Sequence, residues 1–278
     1  MRKIGLIAAG GDLPVSLARY CRSIGRPFFV LRLKGFADPQ LAAFDGVDLG
    51  LAELGKGFAA LRAADCANVC FAGGIARPAL ADLRPDARGL RALPGAIKAA
   101  RGGDDALLSF LLREFESEGF EVEGAHEVRG DLRLTDGPLG RLVPTPDQLG
   151  DIAPALDAAR AIGRLDAGQA AVVCDGLILA LEAQEGTDAL LRRVAGLPTA
   201  IRGTVGARRG VLAKVCKPDQ EQRVDMPTIG PSTVRLAGEA GLAGIVGETG
   251  RLLILDRETV VELVDSLGLF VVGVSASP

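Results

Sequence analysis

The chain has 278 residues, of which 48% are hydrophobic, and its formal net charge is −3 at pH 7. This length predicts two domains, and the high apolar content excludes an intrinsically disordered chain. The sequence has no Trp and one Tyr, which argues against an aromatic platform for stacking single-stranded nucleic acid. Because the slightly acidic charge gives no general attraction for nucleic acid, we expect no nucleic-acid partner.

The N-terminal part of the chain alternates short apolar runs with helical patterns. The predicted strands are residues 3–9, 27–33, 68–72 and a run near 121–128, and the predicted helices are residues 13–24 and 104–118. Strands that alternate with helices are typical of a parallel, doubly wound sheet. We therefore expect an α/β fold whose residues 1–130 form a Rossmann-like N-terminal domain.

A change in composition separates this part from the rest of the chain. Asp, Gly, Pro and Thr accumulate over residues 131–148, which predicts a linker. Residues 149–278 again mix both kinds of element and predict a second, catalytic α/β domain. Asp175-Gly176 between apolar runs predicts a β-hairpin over residues 170–181. The other predicted strands are 211–216, 252–255 and 270–274, and the predicted helices are 152–165, 187–194, 232–240 and 257–267.

The N-terminal segment MRKIGLIAAGGDLP superficially resembles a signal peptide. Its apolar run is short, however, and Gly10-Gly11 and Pro14 interrupt it. No stretch of the sequence approaches the ~20 apolar residues that a membrane-spanning helix requires. We therefore expect a soluble cytoplasmic protein, which could still rest on a membrane surface.

The five cysteines are scattered along the chain. The spacing of Cys66 and Cys70 is that of half a zinc site, but no second pair and no histidine cluster completes it. We expect reduced, buried thiols.

Two glycine turns follow predicted strands. Gly10-Gly11-Asp12-Leu13 precedes the first helix, where backbone N–H groups and the helix dipole favour a phosphate. Its spacing is not the dinucleotide fingerprint, and the second strand ends at Lys34 rather than at an acid that would hold a ribose, so nicotinamide binding is disfavoured. Gly73-Gly74, followed by Arg77, ends the third strand, at the edge where parallel sheets bind ligands. A merely tight turn and a solvated Arg77 are the alternatives.

Two helix starts carry acids. Asp104-Asp105 follows Gly102-Gly103, and Asp188 follows Glu185-Gly186-Thr187. Capping of the free N–H groups of the helix is the simplest explanation at both places. Two adjacent acids exceed that requirement, so one of them is a candidate for facing a ligand or an ion.

The most informative stretch is KVCKPDQEQRVDMPTIGPST, residues 214–233. Its cations could clamp a pyrophosphate, an acid could hold a divalent ion, and the helix start at Gly230-Pro231-Ser232 could receive a phosphate. A charged surface loop is the alternative. Asp225 lies between Val224 and Met226, and this apolar setting disfavours a purely solvated role.

The single histidine, His126, is expected at the end of an apolar strand with a structural role. One histidine argues against Ser-His-Asp chemistry and against histidine-rich dinuclear phosphoesterase sites. Hydrolysis would then depend on carboxylates, cations and a metal ion. Mg²⁺ fits best, because it binds oxygen ligands through one or two carboxylates and the substrate phosphates.

The motifs GLIAAGGDLP, GGIARP, GDDALL, EGTDALL, KVCKPDQEQRVDMPTIG and AGLAGIVGETG occur in this order. The chain thereby resembles the metal-dependent UDP-2,3-diacylglucosamine pyrophosphatases of lipid A biosynthesis, the LpxI family. The motifs run from residue 5 to about residue 250, and RVDMPTIG together with KPDQ is their specific part. The family pattern often reads AQGTDA where this chain has Glu185 before Gly186, which leaves the alignment open at this point.

The resemblance implies hydrolysis of UDP-2,3-diacylglucosamine to UMP and 2,3-diacylglucosamine 1-phosphate (lipid X). Water would attack the α-phosphorus with the help of Mg²⁺, in a cleft between the two domains. The resemblance also implies a lipid-linked nucleotide-sugar substrate and a peripheral position at the cytoplasmic face of the inner membrane of a Gram-negative bacterium. It is compatible with a homodimer.

The resemblance also indicates site residues, whose division into roles is our hypothesis. Asp225 is the essential acid, and Lys214 or Lys217 together with Arg223 neutralises charge on the transferred phosphoryl group. Asp225 and Asp188 are the expected metal ligands, with Asp104 as an alternative to Asp188. The expected substrate contacts are Gly10, Gly11, Asp12, Leu13, Gly74, Arg77, Asp104, Thr187, Lys217 and Thr228.

Two other classes stay open. A non-catalytic nucleotide-sugar or lipid-binding protein would share the glycine turns without metal-dependent turnover. An oxidoreductase or a glycosyltransferase of doubly wound fold is the other class. The missing ribose-binding acid argues against an oxidoreductase, and no DxD motif supports a glycosyltransferase.

Overall fold

A computed structural model describes residues 1–75, 83–218 and 220–275, with only the backbone described at Asp104. The chain divides into two compact units. Unit 1 comprises Met1–Gly130 together with Glu221–Asp225, and unit 2 comprises Asp131–Gln220 together with Met226–Pro278. The short segment Glu221–Asp225 is therefore part of the N-terminal unit, although it lies far along the chain.

Unit 1 is built on a five-stranded sheet in the order β3-β2-β1-β4-β5, with parallel pairing throughout. The strand order reverses between β1 and β4, as in a Rossmann-like sheet, which confirms the expected fold class. The elements are β1 (Ile4–Ala8), α1 (Asp12–Ser23), β2 (Phe28–Leu33), β3 (Gly46–Leu49), α2 (Leu54–Ala63), β4 (Asn68–Ala72), α3 (Ala87–Ala100), α4 (Asp104–Ser117), β5 (Glu121–Val122) and α5 (Ala125–Val128).

The core of unit 1 explains why its strands are continuous apolar runs. All five residues of β1 are buried, as expected for a parallel strand that is covered on both faces. Phe58, Phe115 and Phe120 pack together in one core cluster, and Val224 from the segment Glu221–Asp225 packs against it. The apolar side chain of Val224 thus fixes that segment to unit 1.

The predicted strand near 121–128 is wrong beyond Val122. The backbone N–H of Gly124 donates to the Glu127 carboxylate at 2.6 Å, a capping box that starts the short helix α5. His126 therefore lies in a helix rather than at a strand end, and it is buried with 8% of its surface exposed.

Unit 2 contains a six-stranded mixed sheet in the order β6-β13-β11-β9-β7-β8 and a separate parallel pair, β10-β12. Strands β13, β11 and β9 are mutually parallel, whereas β6, β7 and β8 join antiparallel. The elements are β6 (Gly137–Pro138), α6 (Pro146–Arg164), β7 (Ala170–Cys174), β8 (Leu177–Leu181), α7 (Gly186–Ala195), β9 (Val211–Lys214), β10 (Thr228–Ile229), α8 (Pro231–Glu239), β11 (Gly244–Glu248), β12 (Leu253–Ile254), α9 (Arg257–Leu267) and β13 (Phe270–Val274). The predicted hairpin is confirmed by the pairing of β7 with β8.

Helices cover both faces of this sheet. On one face, Leu212 and Ile245 belong to a core cluster with apolar residues of α7, α8 and α9. On the other face, Val211 and Val246 belong to a cluster with α6. Burial on both faces again produces strands without polar alternation.

The expected linker over residues 131–148 lies within unit 2. Leu134 is buried in the core of this unit, and Gly137 pairs with Gly273 of β13. Thr145 caps α6 by accepting a hydrogen bond from the Gln148 N–H group. The polar, Pro-rich composition of this segment therefore belongs to a short edge strand and a helix start, which use the same residue types as a linker.

All five cysteines are buried and free, which confirms the prediction of unpaired thiols. Burial raises the pKa of the Cys174 thiol to about 11, so this thiol stays protonated at neutral pH. Within the described part of the chain, the structure shows no helix that is both long and apolar enough to cross a membrane.

Candidate active site

The two glycine turns meet at the carboxyl ends of β1 and β4. The Gly10 N–H group donates to the Gly74 carbonyl at 3.1 Å, and the Gly74 N–H group donates back to the Gly10 carbonyl at 3.0 Å. This isolated bridge lies where the strand order reverses, which is the usual ligand position in an open parallel sheet. The structure therefore brings together the two turns that the sequence places at this edge.

Glycine is required here for two different reasons. Gly73 has a φ of +91°, and a Cβ atom added to it would lie 2.3 Å from the Gly10 carbonyl oxygen. Gly11 also has a φ of +91°, but a Cβ atom there would meet nothing within 4 Å. Gly11 precedes α1 without any side-chain cap, and Asp12 is exposed while Leu13 is half-buried. The first N–H groups of α1 thus lack a capping side chain.

Replacing Gly73 by Ala should destabilise unit 1 more than replacing Gly11 by Ala. Both variants strain a residue with φ of +91°, at a cost of about 1–3 kcal/mol in the free energy of unfolding. Gly73→Ala should cost a further ~1–3 kcal/mol, because its Cβ atom overlaps the neighbouring backbone. Urea unfolding of the two variants measures the difference, and equal losses would contradict the close approach of the two turns.

A groove of about 340 Å³ lies at the carboxyl end of β2 in unit 1. Arg32 lines it, but its guanidinium donates to Asp48 at 2.6 Å and to the Gly46 carbonyl at 3.0 Å, so it ties β2 to β3. Lys34 also lines the groove and is exposed. The Phe36 carbonyl would lie 3.4 Å from a Cβ atom on Gly10, so the loop beside the groove reaches the glycine turns. The end of the second strand is where such sheets hold the ribose of a nucleotide.

Asp225 ends a closed turn that α4 holds. The Glu221 N–H group donates to Asp105 Oδ1 at 2.9 Å. The Glu221 carbonyl accepts from the N–H groups of Val224 and Asp225 at 3.1 and 3.0 Å. The half-buried Asp225 therefore sits on a turn whose start is held by α4 and whose end is bonded to that start.

Arg223 lies inside this turn between two carboxylates. Its guanidinium donates to Glu116 at 2.8 Å and to Glu221 at 2.8 Å. These hydrogen bonds raise the pKa of Arg223 and, with Arg223 as the main cause, lower the pKa of Glu221. The positive charge of Arg223 is thus matched by two carboxylates of unit 1.

Asp105 does not cap its own helix. The N-cap residue of α4 is Gly103, and no side chain caps it. The Asp105 carboxylate instead accepts from the backbone of residue 221, which is 116 positions away. The capping explanation is therefore wrong for Asp105. The backbone of Asp104 starts α4, and Arg77 lies outside the described residues.

In unit 2, Lys214 occupies the carboxyl end of β9. Its side chain is buried, and Nζ donates to the Thr228 carbonyl at 2.9 Å. Thr228 lies in β10, two residues before Gly230 at the start of α8, and the N-cap Gly230 makes no side-chain capping bond. Ser232 in the first turn of α8 donates to Asp188 Oδ2 at 3.3 Å. Three predicted site residues, Lys214, Thr228 and Asp188, therefore lie along one chain of contacts. This chain runs from the end of β9 through β10 and the start of α8 to the start of α7.

Two other predicted contacts have internal partners. The buried Thr187 hydroxyl donates to Glu182 Oε1 at 2.7 Å, and the other Glu182 oxygen accepts from the Gln169 N–H group. Lys217 Nζ forms an ion pair with Asp166 at 2.6 Å, beyond the end of α6. Sequence reasoning did not single out Glu182 or Asp166, because a lone acid near a turn carries no local signal of such pairing.

The carboxylates offered by the described residues suit a hard cation that also binds phosphate. Residues 1–75, 83–218 and 220–275 hold no group of three His, Cys, Asp or Glu side chains that could bind a metal by themselves. Mg²⁺ needs only one or two carboxylates when phosphate oxygens and water complete its shell. Asp225 in unit 1 and Asp188 in unit 2 each offer carboxylate oxygens of this kind, which differ from the sulfur and nitrogen ligands that zinc favours.

Comparison with known proteins identifies the family. Residues 3–132 match the model of the LpxI N-terminal domain, and residues 135–272 match that of the LpxI C-terminal domain. The chain belongs to the LpxI family. It is 62% identical over 274 residues to the UDP-2,3-diacylglucosamine pyrophosphatase LpxI of Caulobacter vibrioides, covering 99% of this chain and 98% of that protein. The LpxI resemblance inferred from the motifs is thereby confirmed at the level of the family.

The two LpxI domain models meet close to the point where unit 1 gives way to unit 2, between Gly130 and Asp131. The model of the C-terminal domain also spans Glu221–Asp225, which the structure assigns to unit 1. A division along the sequence thus assigns Asp225 to the second domain, whereas the contacts of its turn are with α4 of unit 1.

Proposed function

We propose that this LpxI chain is a hydrolase that cleaves the pyrophosphate of UDP-2,3-diacylglucosamine to UMP and 2,3-diacylglucosamine 1-phosphate. The observation that carries the proposal is the 62% identity, over nearly the whole chain, to a protein named for this reaction. The structure supports it with the uncapped starts of α1 and α8, which suit phosphates. The start of α1 lies beside the bridged turns of Gly10 and Gly74, the glycine edge of unit 1. A non-catalytic lipid-binding protein would not need the buried Lys214 or the constrained Asp225.

In the proposed reaction the chain binds the substrate, orients the attacking water and neutralises charge on the phosphoryl group. The uncapped N–H groups at the start of α1, beside the glycine edge of unit 1, hold a phosphate, and the groove at Lys34 accepts the nucleoside. Lys214 offsets negative charge on the transferred phosphoryl group. Asp225 would hold Mg²⁺, with Asp188 as the second candidate ligand, and the Asp225 carboxylate would orient the water that attacks the α-phosphorus. Bound Mg²⁺ supplies charge neutralisation at the phosphate oxygens.

We also propose that the enzyme works at the cytoplasmic face of the inner membrane as a peripheral protein. The substrate carries two acyl chains, so a membrane is its natural source, and the described chain shows no spanning helix of its own. The proposed partners are this lipid-linked nucleotide sugar and, in a homodimer, a second copy of the chain. Flotation with vesicles that contain the substrate, and light scattering of the free protein, test these two partners.

The proposed reaction is tested by incubating purified UDP-2,3-diacylglucosamine with the enzyme in Mg²⁺ or in EDTA. We expect UMP and lipid X in Mg²⁺ only, and a reaction in ¹⁸O-labelled water should place the label in UMP. Release of UDP, or label in lipid X, would overturn the assigned position of attack. Retention of intact substrate without turnover would favour the binding-protein alternative.

A further inference from the structure

The turn that carries Asp225 is fixed to unit 1 at three points. Asp105 Oδ1 accepts from the Glu221 N–H group, at the start of the turn. The Val224 side chain packs against the phenylalanine core of unit 1. The Arg223 Cα atom would lie 3.2 Å from a Cβ atom on Gly124, so the backbone passes close to a glycine there. Five residues are thus held by a hydrogen bond, an apolar contact and a close approach.

We propose that Asp105 and Arg223 are positioning residues that set the place of the Asp225 carboxylate. The inference rests on the proposed function, in which Asp225 takes part in the reaction. The Asp225 N–H group donates to the Glu221 carbonyl, and the Glu221 N–H group donates to Asp105. Displacement of Glu221 therefore also moves Asp225, whose carboxylate must lie at the reacting phosphate. Catalytic groups need to be held within about 0.5 Å of their working position.

The charges in the turn favour this role for Arg223 over charge neutralisation. One guanidinium faces the carboxylates of Glu221 and Glu116, at 2.8 Å each. Three of its five N–H groups already donate to these two carboxylates, whose negative charges also repel a phosphoryl group. Nε and Nη2 bond both oxygens of Glu221 while Nη1 bonds Glu116, and Lys cannot reproduce this planar bidentate geometry. Arg223 therefore links the turn to α4, and its charge is already satisfied there.

The test compares Asp105→Ala with Asp105→Asn. The Ala variant removes the acceptor of the Glu221 N–H group, and we expect kcat to fall about tenfold to a hundredfold, as for a catalytic group displaced by about 1 Å. KM should change less than about threefold, because substrate contacts stay in place. Asn keeps an acceptor oxygen at the same position, so Asp105→Asn should recover most of the lost kcat.

Hydrogen exchange provides a readout that does not depend on the reaction. In Asp105→Ala, the amide hydrogens of Glu221 and Asp225 should exchange at least about tenfold faster than in the parent, because the hydrogen bond from the Glu221 N–H group to residue 105, at the start of the turn, is gone. The matched control is Asp265→Ala in unit 2. Asp265 also accepts a backbone N–H bond from a distant residue, Arg141, at 2.8 Å. This control should leave both the exchange of residues 221–225 and kcat unchanged.

The outcomes separate this inference from the proposed function. An unchanged kcat in Asp105→Ala, with faster exchange in the turn and an inactive Asp225 variant, would refute the positioning role and leave the function standing. Unchanged exchange would show that Asp105 does not hold the turn. An active Asp225 variant would overturn the proposed role of that carboxylate, whatever the exchange data show. A loss of kcat in Asp105→Asn equal to that in the Ala variant would also contradict the inference.

Discussion

Replacing Asp225 by Asn should lower kcat for UMP release by at least about a hundredfold, the loss typical of removing one group that stabilises a charged transition state. The side chain is half-buried, and Asn has nearly the same shape, so the fold should be retained. The Asn amide is neutral and a much weaker ligand for Mg²⁺ than a carboxylate. Substrate binding should survive, because the glycine edge and the groove of unit 1 are unchanged.

The measurement is kcat and KM at saturating Mg²⁺, together with the melting temperature and calorimetric binding of the substrate. A matched control is Asp157→Asn, which removes an exposed carboxylate from α6 that pairs with Arg160. The control should keep the parent kcat. Turnover by Asp225→Asn within about tenfold of the parent would remove Asp225 from the mechanism, because a lost metal-binding carboxylate costs more than that.

The edge of the sheet in unit 1 could be predicted from sequence because its signals are local. A buried parallel strand reads as a short apolar run, and the glycines after β1 and β4 mark the turns. The rule that ligands bind where the strand order reverses then brings Gly10 and Gly74 together. Elements with weaker local signals were missed, such as β3 (Gly46–Leu49), which is short, and α3 (Ala87–Ala100), which contains Pro94.

The surroundings of Asp225 could not be predicted in this way. The motif RVDMPTIG marks a specific segment, but nothing in it shows that Glu221–Asp225 folds into unit 1. That outcome depends on the pairing of Glu221 with Asp105 and on a hydrophobic contact of Val224. Both contacts are long-range, and single-sequence patterns carry only short-range information. For the same reason the sequence suggested that Arg223 neutralises charge on the phosphoryl group, whereas in the structure its guanidinium pairs with the carboxylates of Glu116 and Glu221.

The two lysines of the segment differ in their environment, and this difference predicts unequal roles. Lys214 ends β9 beside the parallel strand β11, and its buried ammonium lies at the Thr228 carbonyl, two residues before Gly230 and the start of α8. Lys217 is paired with Asp166 at 2.6 Å, beyond the end of α6. Ligands of parallel strands bind at their carboxyl ends, so Lys214 is the better placed cation for a phosphoryl group.

Lys214→Met should therefore lower kcat by about a hundredfold, whereas Lys217→Met should lower it less than about tenfold. Met keeps most of the length of the side chain without its charge, but the Thr228 carbonyl loses a donor, which should cost about 1–3 kcal/mol in the free energy of unfolding. The activity loss is read at a temperature where urea unfolding shows each variant to be folded. Equal losses in both variants would contradict the assignment, and a larger loss in Lys217→Met would transfer the role to Lys217. Lys214 is buried at the carboxyl end of β9, close to the start of α8, and this position is the physical reason for expecting the larger effect there.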